Sequence, residues 1–208
     1  ADTPDSDYTD EDSCCDKFYL NASYENQRDI VTNVRRIQRK RESVYRKYFN
    51  INKVIAECEE ELKIKYSEQQ KECFSFLSST GIKIITGGPG TGKSTVINGL
   101  IHAYQKLHPY SRIALMAPTG RAAQRMREIT GLKAGTIHKT LNIKPHERND
   151  SLFSASYIHD FPAGLIIIDE ASMLDEQLSA VMFMCFKEDA TVILVGDVDQ
   201  LPSIGAGK

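Results

Sequence analysis

The run Gly87-Gly88-Pro89-Gly90-Thr91-Gly92-Lys93-Ser94-Thr95 constrains this chain more than any other feature, because it stands between an apolar β-rich run and a helical period. Its spacing is Gly87, four residues, Gly92, Lys93, Ser94, and a strand before with a helix after is the context that gives such a loop its meaning. Glycines let the backbone turn tightly, so that successive N–H groups face one concavity, and a helix starting near Lys93 adds the positive end of its dipole. The result is an anion nest. Lys93 would reach the β- and γ-phosphates of a nucleoside triphosphate, and the Ser94 hydroxyl would ligate Mg2+, which takes oxygen ligands and keeps several waters.

The surrounding pattern is that of an α/β protein. After Gly81, runs at Ile82–Thr86, Arg112–Ala117, Leu165–Ile168 and Thr191–Val195 read as strands. Between them Val96, Ile97, Leu100, Ile101, Tyr104 and Leu107 predict one helix, Ala122, Ala123, Met126 and Ile129 another, and Leu178, Val181, Met182 and Cys185 a third. Short, nearly continuous apolar runs suit buried parallel strands, and their alternation with helices predicts a parallel sheet flanked by helices with right-handed crossovers. The polar stretch Lys144–Gly164 reads as a surface excursion.

Upstream, Ile30, Val34, Ile37, Val44, Tyr48, Ile51, Ile55, Cys58 and Leu62 recur at helical steps, predicting an amphipathic segment broken near Asn50 and Asn52. Its arginine-rich first half is either a nucleic-acid face or a solvated surface, and the acidic run Glu57–Glu61 favours the solvated surface. Ala1–Asp16 carries seven acidic residues and no Lys or Arg, a composition that does not offset the entropy of ordering. Three segments are therefore expected: a flexible acidic lead-in over 1–27, a helical segment over 28–65 and the α/β domain over 66–208.

With 41% hydrophobic and 26% charged residues the chain has an ordinary globular composition. No apolar run is long enough for a bilayer and no basic-plus-apolar leader opens it, so no membrane partner and a cytoplasmic location are expected. Cys14, Cys15, Cys58, Cys73 and Cys185 form no CxxC pair and lie away from any His cluster, which indicates neither zinc nor a disulfide framework. A net charge of −2 argues against electrostatic coating of nucleic acid, but leaves room for a local basic groove.

Two further strand ends carry chemistry. Leu165–Ile168 delivers the adjacent carboxylates of Asp169 and Glu170 at its C-terminal end, where open α/β sheets place ligands. Asp169 would hold the magnesium through water and Glu170 would orient the attacking water. The run Val195-Gly196-Asp197-Val198-Asp199-Gln200-Leu201-Pro202 brings polar groups to the same edge. Gln200 is long enough to reach a γ-phosphate or the attacking water, or it marks a turn with its neighbours; Asp197 and Asp199 read as possible turn caps.

These elements resemble the RecD-like DNA helicases of superfamily one, the exodeoxyribonuclease V alpha-subunit family. GGPGTGKST, APTGRAA at Ala117–Ala123, TIHKTL at Thr136–Leu141, IIIDEASMLD at Ile166–Asp175 and VGDVDQLPSIGAG at Val195–Gly207 follow the order of that family's motifs I, Ia, Ib, II and III. The likeness runs from about Tyr66 to the last residue. It implies a RecA-like P-loop NTPase domain that binds ATP with Mg2+. It also implies that Gln70, or Gln69 in its place, contacts adenine, and that Pro118, Thr119, Arg121, Thr136 and His138 line a path for single-stranded DNA. Backbone N–H groups, hydroxyls and a guanidinium grip phosphates without reading sequence, as a translocating motor requires.

The family's motor also needs a second RecA-like domain that supplies an arginine to the γ-phosphate, and no candidate for it follows the third motif here. The expectation is thus a fragment of an ATP-dependent 5′ to 3′ DNA helicase, able to bind Mg-ATP and weak or inactive alone, whose partners are single-stranded DNA, the missing second motor domain and other recombination or repair subunits. Pif-type and relaxase-type helicases use similar motifs, and a nucleotide-dependent switch module that unwinds nothing is the alternative from a different class.

Overall fold

A computed structural model of the 208-residue chain describes residues 21–39, 50–145, 153–154 and 158–197. In chain order these form α1 (Asn21–Ile37), α2 (Ile51–Leu62), α3 (Glu68–Glu72), a 3-10 segment (Cys73–Ser78), β1 (Gly81–Thr86), α4 (Lys93–Leu107), β2 (Ile113–Ala117) and α5 (Gly120–Thr130). They continue with β3 (Ala134–Thr136), α6 (Ile137–Leu141), β4 (Lys144–Pro145), β5 (Phe153–Ser154), β6 (Leu165–Ile168), a 3-10 turn (Ala171–Met173), α7 (Glu176–Cys185) and β7 (Thr191–Gly196). Strands β1, β7, β6, β2 and β3 make one parallel sheet in that order, and β4 and β5 pair antiparallel apart from it. β7 lies between β1 and β6, with Ile85 opposite Val195 and Ile167 opposite Ile193. The three motif-bearing strands are therefore neighbours.

Successive side chains of a strand face opposite sides of the sheet, and here both sides are covered. Leu165 and Ile167 enter one core with Ile85, Leu115, Ile193 and Val195, while Ile166 and Ile168 enter the other with Ala114, Met116 and Val192. All four β6 side chains are fully buried, each contributing about 1.5–3 kcal/mol of apolar burial. A polar side chain in the run before Asp169 would be buried away from water, at a cost unless it found a hydrogen-bond partner. The first face is covered by α2 and α4 through Ile55, Cys58, Val96, Ile97, Leu100 and Ile101. The second is covered by α1, α6 and α7 through Ile37, Ile137, Leu141, Leu178 and Met182.

The N-terminal helices thus share both cores with the sheet. α1 runs along α7: Ser23 Oγ donates to Glu176 Oε2 at 2.6 Å in the first turn of α7, and Arg36 Nη2 donates to Phe183 O at 3.0 Å in its last turn. A cation there satisfies a terminal carbonyl and complements the helix dipole, and burial lowers the Arg36 pKa. Arg36 is committed to packing, in line with neither a nucleic-acid face nor a purely solvated one at this position. Gln38, just after α1, bridges the outer edge of β1: its Nε2 donates to Ile82 O at 3.2 Å and its Oε1 accepts from Ile82 N at 3.3 Å.

Several local expectations are corrected. Residues 21–27, assigned to the flexible lead-in, belong to α1; Ala1 to Leu20 lie outside the described residues. α1 ends at Ile37 and α2 starts at Ile51, capped by Asn50, whose side chain accepts from Lys53 N at 3.2 Å, so Asn52 lies inside a helix; residues 40–49, Val44 and Tyr48 among them, lie outside the described residues. Within the excursion Lys144–Gly164, Phe161 and Ala163 are core residues, not surface ones. Ile129, expected on the buried face of α5, is 39% exposed. β3 forms where the sequence pattern predicts no strand.

Gly99 in the middle of α4 has a packing reason. A Cβ there would lie 2.8 Å from Tyr66 Cζ and 2.9 Å from Phe74 Cζ and closer still to the Tyr66 hydroxyl. The two rings pack edge to face with centroids 5.0 Å apart, a preferred aromatic geometry. Burial pushes the Tyr66 phenol up to about 12.

Candidate nucleotide-binding site

β1 ends at Thr86 and α4 begins at Lys93, so Gly87–Gly92 is the whole connection. Gly90 and Gly92 have φ of 79° and 84°, a left-handed conformation that glycine adopts at little cost. Gly92 is also the N-cap of α4 and offers no side-chain cap; the first amide bonded inside the helix is that of Val96, to Gly92 O at 3.0 Å. The N–H groups of Lys93, Ser94 and Thr95 are thereby left without acceptors inside the helix, and a 15-residue helix presents its positive dipole end with them. Gln70 holds the loop from the other side. Its Nε2 donates to Thr91 O at 3.2 Å, while its Oε1 accepts from Ser67 N at 3.0 Å in a capping box that starts α3.

A cavity of about 280 Å3 is lined by Gly88 to Ser94 together with Arg125, Asp169, Glu170 and Asp197. The loop, the two acids after β6 and the acid after β7 therefore converge as the strand order requires. Lys93 Nζ donates to Gly87 O, to Gly88 O at 3.0 Å, and lies 3.8 Å from Asp197 Oδ2. Asp197 is buried, at 4% exposure. Gly87 takes part through its carbonyl, whereas Thr95 is exposed and does not line the cavity.

Asp169 extends the β6 ladder, its N–H donating to Met116 O at 3.0 Å, and its Oδ1 accepts from Glu170 N at 3.0 Å. Burial raises the Asp169 pKa; the bond from Glu170 N and the charges of Arg125 and Lys93 work against that, while the Glu170 charge adds to it. Glu170 itself has φ 55° and ψ 40°, a conformation that costs a non-glycine residue about 1–2 kcal/mol. The turn after β6 thus holds Glu170 in a conformation that local preference opposes.

The oxygens of Ser94 and Asp169 on one cavity suit Mg2+, which is usually bound through one or two protein groups plus phosphate oxygens and waters. Among the described residues no cluster of three or more His, Cys, Asp or Glu is arranged to hold a metal by itself. The donor set fits a cation shared with a phosphate.

The residues expected along a DNA path lie farther along the same sheet edge, after β2 and β3, where Ala117 is opposite Thr136. Thr119 caps α5, accepting from Ala122 N at 3.2 Å, and Thr136 caps α6, accepting from Lys139 N at 3.3 Å. Pro118 and His138 are half-buried and Arg121 is exposed. Gln200 lies outside the described residues, as do Asp199 and the rest of its motif. Two cavity residues had no assigned role in the sequence pattern: Asp197, read as a turn cap, and Arg125, to which no motif points.

The family described as an AAA domain matches residues 70–206. The chain belongs to that family. Among its relatives is the ATP-dependent RecD2 DNA helicase of Deinococcus radiodurans, 37% identical over 68% of this chain and 19% of the relative. The RecBCD enzyme subunit RecD of Mycolicibacterium smegmatis is 34% identical over 67% and 29%, and that of Haemophilus influenzae 27% identical over 91% and 32%. The RecD-like resemblance carried by the motifs is met by these relatives. The chain spans between about a fifth and a third of their length. No helix among the described residues is long and apolar enough to cross a membrane.

Proposed function

We propose that this chain is the nucleotide-binding motor unit of an ATP-dependent DNA helicase that moves 5′ to 3′ on single-stranded DNA. The observation that carries this is the convergence of Lys93, Ser94, Asp169 and Glu170 on one cavity at the C-terminal edge of a parallel sheet. Loop amides and the α4 N-terminus bind the phosphates, Lys93 moves from the loop carbonyls to the β- and γ-phosphates, and Gln70 faces the adenine. Ser94 and Asp169 hold Mg2+, which when bound neutralises phosphate charge. Glu170 orients the attacking water and accepts its proton, and Gln200 reads the γ-phosphate.

Pro118, Thr119, Arg121, Thr136 and His138 grip the DNA backbone along the neighbouring strand ends. Both Thr hydroxyls cap helices as acceptors and keep their own O–H to donate to a phosphate. Residues 66–208 form the first of two RecA-like motor domains, and the longer lengths of the relatives support placing the second elsewhere in the parent protein. Two of the relatives described above bear the name of a RecBCD subunit, and association with other recombination subunits in the cytoplasm belongs to this reading.

The test is ATP hydrolysis by the full-length parent with and without single-stranded DNA. DNA is expected to stimulate hydrolysis, and Lys93→Ala to abolish both hydrolysis and nucleotide binding. If Lys93→Ala abolished binding but DNA left the rate unchanged, the chain would be a nucleotide-dependent switch module.

A further inference from the structure

The phosphate cavity contains a second cation besides Lys93. Arg125, on α5, lines it with Asp169 and Glu170, and its charge is near enough to Asp169 to draw that carboxyl's pKa down. The residue is exposed, and among the described residues it makes no hydrogen bond or ion pair. The other arginines of α5 differ from it. Arg127 Nη1 donates to Ala134 O at 3.0 Å and ties the helix to β3, and Arg121 lies one turn before Arg125 on the same face. Arg121 and Arg125 share a surface depression with Gln124 and Glu128. The helix packs through Ala123 and Met126, so the fold makes no demand on Arg125.

An arginine presents five N–H donors in a planar fork that matches phosphate oxygens. We propose that Arg125 binds the terminal phosphate of a nucleoside triphosphate from within this chain, and thereby couples α5 to the presence of that phosphate. The assignment rests on the nucleotide site proposed above. A diphosphate leaves the Arg125 end of the cavity without its anion. Because α5 is one short helix beginning at the proposed DNA-gripping residues Thr119 and Arg121, loss of the phosphate releases a restraint one turn away from them.

The test compares binding of a fluorescent, non-hydrolysable ATP analogue and of fluorescent ADP, both with Mg2+, to the 208-residue chain and its variants. Arg125→Ala is expected to weaken the triphosphate analogue roughly tenfold or more, the scale of a lost charge-assisted hydrogen bond, with ADP affinity and melting temperature unchanged. Arg125→Lys, a point charge without the fork, restores part of the loss. Equal losses for the two nucleotides, or no loss, would overturn the role of Arg125 while leaving the loop assignment intact. Failure of the unaltered chain to bind either nucleotide, or binding that Lys93→Ala leaves untouched, would refute the nucleotide site and Arg125 with it.

Discussion

Lys93 Nζ of the phosphate loop lies 3.8 Å from the buried carboxylate of Asp197 at the end of β7. The ammonium that the proposed site needs for phosphate is held by an anion of the protein itself. Asp197 also stands with Asp169 and Glu170 as a third negative charge on the cavity, where a metal-free nucleotide meets repulsion. Asp197→Asn is expected to tighten binding of ADP in the absence of Mg2+ by roughly three- to tenfold. Isothermal titration with and without EDTA measures this, and weaker metal-free binding would show that Asp197 does not compete for Lys93.

Glu170 is expected to separate stability from activity. Glu170→Gln removes the charge that takes the proton from water yet leaves the Asp169 and Ser94 oxygens in place, so nucleotide affinity is retained while hydrolysis by the parent is lost. Glu170→Gly is also inactive, but it relieves the left-handed conformation at φ 55°, stabilising the fold by about 1 kcal/mol and raising the melting temperature about 2–4 °C. A lower melting temperature for the glycine variant would mean that the side chain contributes contacts outweighing the backbone strain.

Gly99→Ala pits two effects against each other. Alanine is favoured over glycine inside a helix by about 1 kcal/mol, but the new methyl would press on the Tyr66 and Phe74 rings, and overpacking costs about 1–3 kcal/mol. The net expectation is a lower melting temperature. Tyr66→Phe removes the hydroxyl that the methyl meets first and leaves both ring carbons, so the double variant recovers part of the loss in a double-mutant cycle. Strict additivity would place the cause elsewhere.

Acid sensitivity is traceable to Glu59 in α2. Its carboxylate accepts from Tyr66 N at 2.9 Å and Lys65 Nζ at 3.0 Å, and these bonds, the backbone one foremost, hold its pKa below the ordinary 4.5. A carboxyl with a lowered native pKa adds stability that is fully present above the unfolded value and is lost as pH falls through the native one. Denaturant titrations of Glu59→Gln should therefore show lower stability than the parent at pH 7 and a flatter decline below pH 4.5. An unchanged slope would remove Glu59 from the acid response.

Where the sequence is legible, a local signal and the tertiary environment agree. β6 is four consecutive apolar residues ending in two acids, and the sheet buries all four. The loop from Gly87 to Ser94 is legible because its spacing, its preceding strand and its following helix state the same geometry. β3 is not, since Ala134 and Gly135 disfavour a strand and only Thr136 favours one, so the segment becomes a strand by pairing with β2. Phe161 is hidden by its polar neighbours in sequence; in the fold it is buried beside Phe186, whose ring is tilted at 51° with its centroid 6.3 Å away, and Arg112 lies over the Phe161 ring at 5.7 Å. Arg125 reaches the cavity only through the direction α5 takes after β2, which no spacing within the helix encodes.

The amide of Gln38 engages both polar groups of Ile82 on a strand that ends the sheet, much as the peptide of one more strand would. Unpaired edges invite pairing between molecules. A strand from a second copy that paired along β1 from its start would first have to displace this side chain. One glutamine at the end of a helix thus occupies the edge groups that such pairing would need, away from the residues that line the nucleotide cavity.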